Sequence, residues 1–324
     1  MHTFDFLLNK FQVSLSKENL DFSPDEIYKP ISYTLSIGGK RLRPVLALMA
    51  CDLFGGNIED VIYPAIGIEV FHNFTLLHDD IMDKAPIRRG KPSVYKKWNT
   101  NIAILSGDTM FALAYKFICK AQISDLRNIL DIFNNTAIEV CEGQQFDLNY
   151  ETQKNVSIND YIKMIHLKTA VLIGASLKTG ASIAGAPEEE LEKIYNFGTN
   201  LGIAFQLRDD ILDVFGNETE FGKKTGGDII TNKKTFLYLK AFELAQGDDL
   251  ISLTNCFTDK NIDDSTKVKS VIDIYNSLNV KDLAEKEINN YSQKAFYHLD
   301  CIIIENDKKQ FLRDIAKKLM VRKY

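Results

Sequence analysis

The chain has 324 residues, 45% of them hydrophobic and 26% charged, with a formal net charge of -5. That balance belongs to a core-forming globular protein rather than a disordered one, and the lack of an overall basic surface argues against a nucleic-acid partner. Cys51, Cys119, Cys141, Cys256 and Cys301 are scattered, odd in number and without a CxxC pair, which suits thiols in a reducing cytosol better than a disulfide framework or a zinc site.

The N-terminus, Met1-His2-Thr3-Phe4-Asp5-Phe6, lacks the basic start and apolar run of a signal peptide. No apolar stretch reaches the length of a membrane span; Val45 to Cys51 is among the longest. The expectation is a cytoplasmic protein with no membrane span.

In chain order, the first break is Gly38-Gly39, which leads into Lys40-Arg41-Leu42-Arg43-Pro44, three cations at a predicted helix start. Gly55-Gly56 closes that segment. Val61 to Asp83 then places Ile62, Ala65, Ile66, Glu69, Val70, Asn73 and Phe74 at helical spacing. It is nearly apolar all round, as a helix buried inside a bundle must be. The helix ends in His78-Asp79-Asp80-Ile81-Met82-Asp83, and the break from Ala85 to Pro92 carries Arg88-Arg89-Gly90.

Mid-chain come Gly143-Gln144-Gln145-Phe146-Asp147-Leu148 and Lys168-Thr169. After Gly185-Ala186-Pro187, Leu191 to Asp213 is predicted as a second buried helix, with Ile194, Phe197, Gly198, Leu201, Phe205 and Leu212 near one stripe. It closes with Arg208-Asp209-Asp210-Ile211-Leu212-Asp213, and Lys223-Lys224 and Lys233-Lys234 follow. Gly247-Asp248-Asp249 is the last break, and the acidic segment from Asp248 to Asp264 is expected to be a surface connection. Alternating strand patterns are absent. The expectation is an all-α fold, one large helical bundle over residues 1–324.

The two Asp-Asp-x-x-Asp clusters are the strongest signal. On a helix the first and last aspartates project from one face about a turn apart. Like charges at that spacing repel, and the helix C-terminus disfavours negative charge further. A hard cation relieves both penalties, and magnesium completes its shell with water and phosphate oxygens. The basic residues after each cluster match phosphate: arginine forks bidentately and lysine adds a compact charge. No Ser/His/Asp or Cys/His set offers a nucleophile.

In these motifs and their order the chain resembles the trans-isoprenyl (polyprenyl) diphosphate synthases. The matching residues are Gly38 to Pro44, His72, Asp79 to Asp83, Arg88 to Ser93, Gly143 to Leu148, Lys168-Thr169, Phe205 to Asp213, Gly226-Gly227-Asp228-Ile229 and Lys233-Lys234-Thr235, with a basic end at Arg322-Lys323. The resemblance implies the isoprenoid synthase fold with a central active-site cavity, likewise homodimerisation. It implies a Mg2+-dependent, head-to-tail condensation of isopentenyl diphosphate with an allylic diphosphate.

By the same resemblance, Asp79, Asp83 and Asp209 are expected to ligate magnesium, with Asp80, Asp210 and Asp213 supporting them directly or through water. Arg88, Lys168 and Lys233 correspond to the cations on the allylic diphosphate. Lys40, Arg43, His72 and Arg89 correspond to the set that holds isopentenyl diphosphate. Thr169 and Gln206 match positions near the reacting carbons. Lys223 and Lys224 compete for one family lysine, because the spacing is a residue longer than in some members.

Product length is expected to be set beneath Asp79. An ideal helical wheel puts Thr75 and Phe71 one and two turns below it, with Phe74 off to the side. The family assigns length control to the positions of Phe74 and Thr75; a bulky Phe74 beside a small Thr75 resembles geranylgeranyl synthases, with farnesyl the near alternative. A terpene cyclase is the rival enzyme, but cyclases typically carry an Asn/Ser/Glu second motif and need no isopentenyl site. A non-catalytic partner subunit of a synthase is the other rival, against which both intact clusters argue.

Overall fold

A computed structural model describes residues 2–121, 125–216, 225–259 and 261–320. The described chain is all-α apart from one short hairpin. It gathers into two compact units.

The first unit comprises Met1–Asn134, Ala175–Ile194 and Ile303–Phe311. It opens with α1 (Phe4–Ser16), α2 (Asp25–Ser36), α3 (Leu42–Leu53) and α4 (Ile58–Met82). The hairpin β1 (Ile87–Arg88) and β2 (Lys91–Pro92) follows, then α5 (Val94–Lys97), α6 (Thr100–Ile118) and the start of α7 (Leu126–Thr152). Side-chain oxygens of Asn57 and Asn99 accept from backbone N–H groups in the first turns of α4 and α6, satisfying donors a helix start leaves orphaned. α4 packs along α6 and α3, and its periodic apolar residues Val61, Ala65, Ile66, Val70 and Phe71 are fully buried. Each such Val, Ile or Phe contributes about 1.5–3 kcal/mol when removed from water.

The second unit comprises Asn135–Gly174, Tyr195–Ile302 and Leu312–Tyr324. It holds the rest of α7, then α8 (Ile158–Ile165) and a π turn (His166–Ala170) that runs into α9 (Val171–Ile183). Next come most of α10 (Glu188–Phe215), α11 (Gly227–Ile230), α12 (Phe236–Leu244), α13 (Gly247–Thr258), α14 (Asp264–Ser277), α15 (Val280–Asp300) and the end of α16 (Asn306–Met320). Ser157 and Asp160 form a reciprocal capping box at α8. Phe197, Leu237, Val271, Val280 and Leu299 are fully buried in this unit.

Both aspartate-bearing helices form where the periodicity predicts, each a few residues longer. Two expectations need correction. The 85–92 break contains a two-stranded antiparallel hairpin with Ile87 opposite Pro92 and Arg88 opposite Lys91. Its two-residue turn puts both Arg89 (φ 51°) and Gly90 (φ 74°) in the left-handed region, the conformation that matches strand twist. The segment expected as an acidic surface connection is largely the helix α13. Asp248 and Asp249 occupy its first turn, where the helix dipole favours acid, and Leu253 and Cys256, three apart, bury one face. No helix among the described residues is long and apolar enough to cross a membrane.

Candidate active site

In the first unit, Asp79 and Asp80 lie in the last turn of α4 and Asp83 is its C-cap. Asp80 is buried at 4% exposure, whereas Asp79 is partly exposed and Asp83 exposed. Asp80 turns inward to Arg88, whose Nε and Nη2 both donate to its Oδ1, at 2.9 and 2.5 Å. The middle acid is therefore spent on fixing an arginine.

Arg89, next in sequence, goes elsewhere. Its guanidinium donates to the carbonyl of Gly38 and lies against Gly39, where any Cβ would come within 2.8 Å of it. Gly39, at φ 135°, also has a backbone that side chains disfavour. The Gly38-Gly39 signal thus marks a close approach between the 38–41 loop and the hairpin. Nη1 of Arg43 lies 3.1 Å from Nε2 of His72 on α4. Burial, then Arg43, Arg89, Arg88 and Arg41 in turn, lower the His72 pKa well below its usual value. Burial also lowers that of Arg89, with the Glu69 charge working against it. Lys40, next in sequence to Arg41, is exposed. Arg43, His72 and Arg89 are accordingly brought together by three segments of this unit.

In the second unit the π turn carries Lys168 and Thr169; single π turns inside helices recur at functional sites. Lys168 Nζ donates to Asp147 Oδ2 at 2.6 Å, so the Gly143 to Leu148 motif supplies its partner. Gly143 lies so close to the turn that a Cβ there would meet Lys168 N at 2.3 Å. Thr169 Oγ1 donates to Gln206 Oε1 at 3.2 Å, and Gln206 Nε2 donates to Asp210 Oδ1 at 3.2 Å. The Tyr161 hydroxyl donates to Asp210 Oδ2. Burial, followed by the charge of Asp228, raises the Asp210 pKa well above the carboxylate range. Asp213 Oδ2 accepts from the backbone N–H of Asp228 at 2.9 Å, and the Lys233 N–H donates to the Asp228 carbonyl at 2.9 Å.

These acids fit a hard divalent cation. Burial, then the charges of Asp228 and Asp209, raise the cost of ionising Asp210 within one unit, a penalty that positive charge removes. Among the described residues no three acids or imidazoles converge into a closed cage. A hard divalent cation is held by as few as one or two carboxylates, with phosphate oxygens and water filling its shell. Lys223, Lys224 and the Arg322-Lys323 end lie outside the described residues.

Beneath Asp79, Phe74 stacks on Phe111 of α6, with centroids 5.3 Å apart and planes at 21°. The buried Phe71 contacts Phe74, Phe111 and Phe133, at 5.6, 5.7 and 5.2 Å. Thr75 turns its hydroxyl to the His72 carbonyl at 2.8 Å. Phe111, Tyr161 and Asp147's partnership with Lys168 are not singled out by sequence reasoning. The one available signal for Phe111 is its place on an apolar helix that follows the first cluster.

The polyprenyl synthetase family pattern matches residues 24–275 of the chain. The geranylgeranyl diphosphate synthase of Methanosarcina mazei is 35% identical over 303 residues, which cover 93% of this chain and 91% of that protein. A crystal structure of a geranylgeranyl pyrophosphate synthase matches with a TM-score of 0.95 at 42% identity, covering 100% of both chains. The geranylgeranyl pyrophosphate synthase of Corynebacterium glutamicum, solved with isoprenyl diphosphate and magnesium, matches with a TM-score of 0.85 at 26% identity, covering 98% of this chain and 97% of that one.

Proposed function

The chain belongs to the polyprenyl synthetase family, and from that premise we propose that it elongates an allylic diphosphate with isopentenyl diphosphate, releasing diphosphate. Geranylgeranyl diphosphate is the favoured product and farnesyl diphosphate the next. The observation that carries this reading is the divergence of two adjacent arginines: Arg88 binds Asp80, and Arg89 binds the Gly38 loop beside Arg43 and His72. One hairpin thereby sends neighbouring arginines to two separate places, as a reaction between two diphosphates requires.

In this reading Lys40, Arg43, His72 and Arg89 hold isopentenyl diphosphate. Arg88, Lys168 and Lys233 hold the allylic diphosphate. Asp79, Asp83 and Asp209 are the magnesium ligands, with Asp80, Asp210 and Asp213 in support. The metal, when bound, offsets negative charge on the departing diphosphate. Arg88 and the two lysines add to that stabilisation from fixed positions. The allylic C–O bond breaks, the isopentenyl double bond attacks the resulting cation, and a proton leaves to the released diphosphate. The Thr169–Gln206 pair presents oxygen dipoles that favour the cation, and apolar walls keep out water that would trap it. Phe74, Phe71 and Phe111 bound the tail.

A cytoplasmic homodimer is part of the proposal; Ile104 and Leu105, 40% and 53% exposed on α6, offer apolar surface for association. The test is incubation of purified protein with Mg2+, isopentenyl diphosphate and farnesyl diphosphate, with products identified by mass spectrometry. Geranylgeranyl diphosphate supports the reading. Failure to elongate farnesyl, geranyl or dimethylallyl diphosphate overturns it in favour of a non-catalytic subunit, and hydrocarbon release in favour of a cyclase.

A further inference from the structure

Arg41 stands in the middle of the Lys40 to Arg43 cation run, yet it behaves unlike its neighbours. It is the N-cap of α3 and is held at φ 49°, ψ 34°, the left-handed region. A non-glycine residue stays there only when its surroundings over-determine it. Those surroundings are visible. The Arg41 side chain is 5% exposed and its Nη1 donates to Glu69 Oε1 at 2.5 Å, in a carboxylate side chain that is 2% exposed. Its Nη2 donates to the Leu35 carbonyl near the end of α2. Buried so deeply, this guanidinium is not presented to a ligand in solvent.

The consequence lies in the register of two helices. Arg41 reaches Glu69 on α4, and Arg43 reaches His72, three residues further along the same helix. Asn73 Nδ2 donates to the same Glu69 Oε1 at 2.9 Å and to the Glu69 carbonyl at 2.8 Å, a second hold on the carboxylate. Two arginines on one short segment thus pin the start of α3 to one turn of α4. The pin sets where Lys40 and Arg43 stand relative to His72.

We propose that Arg41, through its buried pair with Glu69, is a positioning residue for the isopentenyl diphosphate subsite. The proposal rests on the assignment of that subsite to Lys40, Arg43, His72 and Arg89 under the proposed function. Arg41 does not touch the substrate; it holds the residues that do.

The experiment is a steady-state comparison of Michaelis constants for the two substrates. Replacing both members together, Arg41→Met with Glu69→Leu, removes the buried pair as a unit, and such exchanges commonly preserve folding; Asn73 keeps the backbone carbonyl of position 69 as its acceptor. The expected result is a KM for isopentenyl diphosphate raised roughly tenfold or more, the scale of effect a misplaced binding group produces. The KM for the allylic diphosphate should move less than about twofold, with the melting curve still cooperative. A folded double variant whose isopentenyl KM is unchanged, or whose two KM values rise together, overturns the proposal. Arg41→Lys, which keeps the charge but loses the fork, reads the same split should the double variant not fold: a selective rise in the isopentenyl KM supports the pin, and no selective rise refutes it. Arg43→Ala separates the two levels of inference. If that change leaves the isopentenyl KM untouched, the subsite assignment itself fails; if it raises KM while the Arg41 variants do not, only the positioning role fails.

Discussion

Nε2 of His72 accepts a hydrogen bond from Nη1 of Arg43 at 3.1 Å. An arginine can only donate, so the imidazole must be neutral with its proton on Nδ1. Burial and four surrounding arginines enforce the same state by lowering the His72 pKa well below 6.5. The folded protein therefore binds fewer protons at this site than the unfolded chain once pH falls below about 6.5. Stability from this group is present above that pH and is lost as pH falls below it. Urea unfolding at pH 7.5 and 5.5 should show a smaller acid-induced loss in His72→Gln than in the parent chain. An equal loss in both would mean that His72 is not the group responsible.

Product length should respond to Phe111 as well as to Phe74, since the two rings stack. Phe74→Ala and Phe111→Ala are each expected to shift the main product from geranylgeranyl diphosphate to chains longer by one or more five-carbon units. The double variant should go further than either. Mass spectrometry of products from farnesyl diphosphate decides it, and an unaltered distribution for Phe111→Ala would remove that residue from the wall.

Tyr161 is expected to matter through Asp210. Among the described residues, its hydroxyl and the Gln206 amide are the side-chain donors to that buried carboxyl. Tyr161→Phe leaves one oxygen short of a donor, at a cost of about 1–3 kcal/mol. Because the two residues are in contact, Asp210→Asn combined with Tyr161→Phe should deviate from additivity by at least about 0.5 kcal/mol. Simple additivity in denaturant titrations would contradict the network.

Adding Mg2+ with inorganic diphosphate should raise the melting temperature, and a chelator should reverse the rise. At a ligand concentration near 100 times Kd the expected stabilisation is about 2.7 kcal/mol. Asp79→Ala should reduce this gain strongly while leaving the ligand-free melting temperature within a few degrees, since Asp79 is only partly buried at the end of α4. A full thermal gain in that variant would exclude Asp79 as a ligand.

Gly143→Ala places a methyl group on the backbone of the π turn, 2.3 Å from Lys168 N. Backbone cannot give way as a side-chain tip can, so the turn must shift, with an overpacking cost of about 1–3 kcal/mol. The expected outcome is a folded protein whose kcat falls far more than its melting temperature suggests. Unimpaired turnover would show that the turn tolerates displacement.

The aspartate helices were legible in the sequence because each joins a long apolar period to a charged end, two signals that agree. Arg41 was not, because a run of three cations reads alike at every position until a tertiary partner separates them. Glu69 carried the missing hint: a carboxylate inside an apolar helix must be paired to be buried, and here its partner is Arg41. The helix α13 was missed because the acids of its first turn imitate a polar connection. The stacking of Phe111 on Phe74 belongs to the packing of α6 on α4, which no local pattern encodes.

The hairpin from Ile87 to Pro92 imposes one more constraint. Its two-residue turn sends neighbouring arginines to Asp80 and to Gly38 only because Arg89 and Gly90 both take positive φ. One inserted or deleted residue would break the pairing of Ile87 with Pro92 and of Arg88 with Lys91, and exchange the faces on which side chains stand. Substitutions here alter the strength of a grip, whereas a change of length alters which partner is gripped. This segment should therefore tolerate no change of length, even one that keeps Arg88, Arg89 and Gly90.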